Sequence, residues 1–254
     1  MHYAQQYIKD NLLPGQVSPN VAITHVLNGN TSLELDRCLK NDGINYLYSA
    51  LISYAEAVKG IQTGFYSWAT VKLYYSAFYS LRSVLSSDGI CIFYLGTKGY
   101  TLFVRQGESP EKADGTTHKL VMKLFKKKYP LSPFVNQQID MVEAFDWLME
   151  QRETANYKNG RFSEPDVPVI YERCNIGLQR LLTAYIQDDD YNYCFDHEHA
   201  ILSLPLEIIK EASSSVIQKT TFRFNNNDIA YLKKLLRVGG QPVTSFQELI
   251  ERMR

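Results

Sequence analysis

Arg152, Asn156 and Tyr157 stand four and five residues apart, a spacing that puts them roughly on one side of a helix. Such a trio forms a buried polar cluster that fastens its helix to a neighbour, or a contact for a nucleotide or phosphate. The run YYSAFYSLRSVL, Tyr74 to Leu85, supplies a neighbour of the right kind. Each buried tyrosine hydroxyl there needs a partner, and an inward-facing Arg82 is costly to bury without one, so a polar seam is expected within the fold. Lys119, Lys123, Lys126, Lys127 and Lys128 crowd ten residues. A run of this kind is ordinarily a solvated face; its functional alternative is a stripe that tracks phosphates, with Phe125 and Tyr129 available for stacking. Asp196-His197-Glu198-His199 has the residue types of a metal site. Histidines two apart face one way only on a strand, and no third ligand is evident nearby, so the stretch reads as polar surface and no metal is expected.

No phosphate-binding glycine loop, dinucleotide fingerprint, nucleophile elbow or zinc-protease helix motif occurs. Gly96-Thr97-Lys98-Gly99 reads as a hairpin turn, because the strand-to-helix context of a phosphate cradle is missing. The 254 residues carry 27 basic and 27 acidic side chains, so no general attraction to nucleic acid or anionic membrane operates and any such affinity must be local. Hydrophobic residues make up 45%, enough for a sizeable core. Four widely spaced cysteines form no C-x-x-C and read as free thiols of a reducing compartment. The opening residues lack a secretory layout and no stretch has the apolar length of a membrane span, so a cytoplasmic protein is expected.

Apolar periodicity places a helix over about 44–61, with Gly43 interrupting what precedes it, and a central helix over about 65–87. The first 30 residues suggest a short helix over 4–12 and a strand or extended arm over 21–26. Two β-rich runs predict a hairpin over about 90–105, followed by a polar loop over 106–115. Helices are expected over 117–128, 134–157 and 168–186. Beyond Asp188-Asp189-Asp190 the pattern loosens into a helix over 204–217, a short strand at TTFRF and two short helices. The fold class is therefore mainly α: an antiparallel helical bundle over 41–187 with one inserted hairpin, an N-terminal extension over 1–40 and a small α-rich appendage over 188–254.

Three segments in register resemble the HEPN (higher eukaryote and prokaryote nucleotide-binding) superfamily. YYSAFYSLRSVL is similar to the aromatic, arginine-bearing second helix of one bacterial and archaeal branch. THKLVMKLFKKKY, residues 117–129, is similar to its S/T-H-x-x-V-x-x-L-F segment. WLMEQRETANY, residues 147–157, is similar to L-x-x-x-R-x-x-A-D-Y, with Asn156 in place of the aspartate. The resemblance covers about residues 44–186 and implies a HEPN-like bundle that pairs as a homodimer. Ribonuclease members carry R-x(4–6)-H, whereas here Tyr157 stands five positions after Arg152. The implied catalytic set is then Arg152 for charge on phosphorus, with His118 or Tyr157 for the proton; a phenol titrating near about 10 is a weak base at neutral pH. Asn156, Arg82, Tyr75, Lys119 and Lys123 are the implied ligand contacts, and no cofactor is called for. The implied function is a module of a prokaryotic defence or toxin–antitoxin system. It would bind RNA, a nucleotide or a partner protein such as a nucleotidyltransferase antitoxin or defence-system subunit, without robust ribonuclease activity. The alternatives are a metal-independent endoribonuclease toxin and a purely structural helical adaptor.

Overall fold

The structure is a computed structural model that describes residues 2–15, 18–158 and 160–254, with the side chains of Tyr157, Asn175 and Ile176 left outside the description. It opens with α1 (Tyr3–Tyr7), which runs into a π-type turn over Ile8–Leu12, and α2 (Pro19–Thr24). The second of these replaces the expected arm at 21–26: Ser18 accepts from the Val21 N–H and Pro19 occupies the first helical position, two start signals that outweigh the β-branched residues.

Helix α3 (Gly29–Gln62) and helix α4 (Tyr66–Ser87) form the central hairpin. Asn28 and Thr31 cap α3 reciprocally, and its 34 residues run without a break, about 50 Å at the usual rise. The expectation that Gly43 interrupts is thus corrected, and with it a boundary near residue 40. Gly43 is where the two helices touch: a Cβ there would lie 2.8 Å from Ser87 Oγ, and the Ser83 hydroxyl donates to the Gly43 carbonyl at 2.6 Å. Gly60 meets Ala69 at the other end, so the pair is antiparallel. Small residues at both crossings let the backbones approach closely, and Gly64 at φ +78° turns the chain between them.

Strands β1 (Ile90–Leu95) and β2 (Lys98–Phe103) form the expected hairpin, but part of the polar loop after it is a third strand, β3 (Glu111–Ala113), paired to β2. One face of this sheet, through Phe93, Tyr100 and Leu102, makes a second core with α1, α2 and the first turns of α3. The Gln5 side chain takes the place of a further strand, accepting from the Tyr94 N–H at 2.7 Å and donating to the Tyr94 carbonyl at 2.9 Å. That covers one edge of β1.

Helix α5 (Thr117–Lys128) follows. The single helix expected over 134–157 is instead α6 (Pro133–Asn136), a two-residue hairpin of β4 (Gln138–Ile139) and β5 (Val142–Glu143), and α7 (Ala144–Glu153), which widens into a π-type turn over Thr154–Lys158. Asp140 and Met141 both have positive φ, which the hairpin turn requires and which no apolar periodicity announces. The expected 168–186 helix is likewise divided, into a 3-10 stretch over Val169–Ile176 and α8 (Leu178–Ile186), with Gly177 at φ +145° between them.

The C-terminal region is not an appendage. Helix α9 (Ala200–Lys219) lies against α4 and α3, buried on nearly every side from Ala200 to Ile209. The last elements are α10 (Asn226–Leu235), the small hairpin β6 (Arg237–Val238) and β7 (Gln241–Pro242), and α11 (Thr244–Glu251). They complete the same core, which is continuous from Ile44 to Met253. TTFRF joins no strand, and Asn225 caps α10 in a reciprocal pair with Asp228. The chain is mainly helical, with three small antiparallel sheets among the described residues. Among those residues no helix is long and apolar enough to cross a membrane.

Candidate functional site

Tyr74, Tyr75 and Phe78 project from α4 into a cluster that receives His118 from α5 and Phe145 and Arg152 from α7. Phenylalanine and tyrosine at steps of three and four belong on one helical face, and here that face is aimed at the two shorter helices. Tyr74 is fully buried, and its hydroxyl is 2.9 Å from His118 Nδ1. The His118 ring lies 4.4 Å from that of Phe78 and 5.8 Å from that of Tyr75. Arg152, in the last turn of α7, sets its guanidinium 5.4 Å from the Tyr74 ring centre and 5.9 Å from that of Tyr75. These are cation–π distances. Phe145, two turns earlier on α7, packs on Tyr74 at 5.7 Å and fixes the helix against α4.

The electrostatics follow from this packing. Burial lowers the His118 pKa below the usual imidazole value, and the positive charges of Arg152 and Arg82 lower it further, so the ring is neutral at pH 7. Burial raises the Tyr74 phenol well above its ordinary value, against a partial offset from Arg152. The phenol is therefore a hydrogen-bond partner and not a base. With one ring nitrogen held by Tyr74, the other is the one left for chemistry: as an N–H donor if the phenol donates, as a lone-pair acceptor if Nδ1 does.

The inserted sheet holds this site in place. The Tyr94 hydroxyl on β1 hydrogen-bonds Thr117 Oγ1, one residue before His118, while Thr116 caps the helix start. Gly99 lies under the Tyr94 ring, where a Cβ would come within 3.3 Å of it. The hairpin therefore sets the first turn of α5, and with it the imidazole. No signal in the sequence links Tyr94 to His118; only the long-range contact reveals it.

The remaining expected residues separate. Tyr75 belongs to the cluster, and Asn156 is half-buried on the turn after α7. The Tyr157 side chain lies outside the described residues. Arg82 faces the other way: its guanidinium is 4.2 Å above the Tyr46 ring, with Asp42 and His2 beside it. Lys119 and Lys123 are exposed along α5. The lysine run does not act as one stripe, because Lys126 is ion-paired with Glu143 and Asp146 and so ties α5 to α7. The stacking partners are also spoken for: Phe125 is buried, and the Tyr129 hydroxyl donates to Asp88 beside Lys219.

Asp196, Glu198 and His199 do converge, with one candidate ligand atom from each inside 4.8 Å. That adds the third group absent from the linear reading. The three are already engaged, however. Arg173 Nε donates to Glu198 at 2.8 Å, and Tyr185 OH is 2.7 Å from His199 Nδ1. His197 pairs with Asp140 instead of joining them. A guanidinium thus stands where a cation would compensate these carboxylates. All four cysteines are free, and burial pushes the Cys174 thiol up to about 12, which leaves it inert at neutral pH.

Comparison of the chain with family models, curated proteins and solved structures gives no match.

Proposed function

We propose that this chain is a HEPN-like module that binds a phosphate-bearing ligand, RNA or a nucleotide, at the cluster of Arg152, His118, Tyr74 and Tyr75. One observation carries the reading. A permanently charged fork from α7 and a neutral imidazole from α5, 34 residues apart in sequence, meet over the same two tyrosines of α4. The fork supplies charge and directional donors for phosphate oxygens, and the half-buried Tyr75 ring supplies a surface for a base. Lys119, adjacent to His118 and exposed, and Lys123 one turn on, extend positive charge away from the cluster along α5. The setting we infer is a prokaryotic defence or toxin–antitoxin system, with a homodimer or a cognate protein partner completing the assembly.

A second reading, metal-independent RNA cleavage, rests on the His118–Tyr74 hydrogen bond and on the lowered imidazole pKa, which together give a positioned base beside a cation. Incubating the purified chain with single-stranded RNA in EDTA separates the two. Retention of intact RNA, lost in Arg152→Ala, supports the binding module. Cleavage that disappears in both Arg152→Ala and His118→Ala supports the nuclease. Failure to retain or cut RNA, with no shift in melting temperature from nucleotides, contradicts both.

A further inference from the structure

A second polar concavity, separate from Arg152, opens where the end of α8, the middle of α9 and α11 come together. Its volume is about 420 Å3, within the usual range for small-molecule sites. The floor is a buried ion pair. Glu207, 5% exposed, accepts from Lys210 Nζ through Oε2 at 2.9 Å. The same ammonium donates to the Asp188 carbonyl at 2.6 Å and lies 3.7 Å from Asp189 Oδ1. Two hydrogen bonds and the nearby Asp189 carboxylate turn Lys210 toward the chain's own acceptors and away from a ligand.

Acceptors remain in excess. Asp189, Glu207, Glu211 and Glu248 line the cleft against only Lys210 and Arg252. Glu211 accepts from the Tyr191 hydroxyl at 2.8 Å through one oxygen. Ser245, on the wall formed by α11, has its hydroxyl shut off from solvent with no hydrogen-bond partner among the described residues. A buried hydroxyl of this kind is costly unless something answers it. Ile186 and Leu249 add apolar surface between the polar groups.

We propose that this cleft binds an aliphatic diamine or polyamine, its ammonium groups taken by Glu207, Glu211 and Glu248 and its methylene chain lying along Ile186 and Leu249. Ammonium groups supply the donors that four carboxylates and Ser245 call for, and the short hydrocarbon between them suits the apolar stretch. Burial raises the Glu207 carboxyl to about 7 in spite of Lys210, so its charge is completed only as pH rises through neutrality. Asp188, Asp189, Glu211, Lys210, Glu248 and Arg252 are the charged groups that surround it. Amine binding therefore strengthens between pH 6 and 8.

Calorimetric titration of the full chain with spermidine and with putrescine tests this, beside magnesium chloride at matched ionic strength and hexane-1,6-diol. One saturable amine site is expected, weakened by about tenfold or more in Glu248→Gln, which alters an exposed position, and in Glu207→Gln. It is also weaker at pH 6 than at pH 8, absent for the diol and retained in Arg152→Ala. Heats that do not saturate, an equal response to magnesium, or unchanged affinity in both glutamine variants with native circular dichroism overturn the proposal.

Discussion

Two arginines lie over tyrosine rings of the central helices, and their surroundings divide structure from chemistry. At one end of α4, Arg82 sits 4.2 Å above Tyr46 with Asp42 built in beside it. Asp42 is 2% exposed and accepts the backbone N–H groups of Tyr3 and Ala4 at 2.8 and 2.9 Å, so it caps α1 and holds that helix down. The space left over is about 10 Å3, room for no more than one water. This end is a clasp. Near the middle of α4, Arg152 arrives from a separate helix, over tyrosines that also engage a half-buried histidine from a third element. The same residue types serve two ends: where the buried Asp42 holds a helix start they fasten the fold, and the Arg152 end, reached by His118 from α5, is the one proposed to bind a ligand.

The sharpest way to break this comparison is to remove what supports both ends. Truncation after Gln187 deletes α9, which is buried against α4 and α3, and is expected to abolish the cooperative thermal transition followed by circular dichroism. A truncated chain that still melts cooperatively would show that the hairpin and its two shorter helices close without α9. Next in size, Asp42→Ala leaves the buried Ala4 N–H and the part-buried Tyr3 N–H without their acceptor, and urea unfolding should report a loss of about 2–4 kcal/mol. Gly43→Val forces a Cβ against Ser87 and the Ser83 carbonyl, and overpacking of this kind costs about 1–3 kcal/mol. The cation–π contacts that Arg152→Ala removes are worth about 1 kcal/mol between them, and the same urea measurement registers their loss.

Titration gives a finer distinction. Because His118 is held below its usual pKa by burial and by two guanidinium groups, the unfolded chain takes up a proton before the folded one does. The unfolded state then binds more protons, and stability falls as pH drops below about 6.5. His118→Gln removes that part of the slope, which melting temperatures measured at pH 7.5 and 5.5 for both proteins would show.

Much of the helical frame was legible in the linear pattern, and the misreadings have physical causes. The central helix was visible because aromatic and aliphatic residues recur along it without a proline or a glycine. Gly43 was misread because its cost to a helix is local and small, about 1 kcal/mol, whereas the close crossing it permits is a tertiary effect. Helix α9 was underestimated: it was expected only over 204–217, past the Asp188-Asp189-Asp190 run, and begins at Ala200. Its nearly continuous apolar run, AILSLPLEII, is instead the mark of a helix covered on all sides. The split of the 134–157 segment rests on positive φ at Asp140 and Met141, which no periodicity encodes. At the site, the spacing of Arg152 and the tyrosine-rich run were plain. What could not be read was that Arg82 turns to Tyr46, that Lys126 is committed to Glu143, and that Tyr94 sets the turn carrying His118.

The most direct measurement is fluorescence anisotropy of labelled single-stranded RNA in EDTA, titrated with the wild-type chain, Arg152→Ala and Arg82→Ala. The account predicts saturable binding that Arg152→Ala weakens by about tenfold or more and Arg82→Ala leaves within a few-fold, once each variant is shown to be folded. Equal binding by wild type and Arg152→Ala, or a greater loss in Arg82→Ala than in Arg152→Ala, would contradict it.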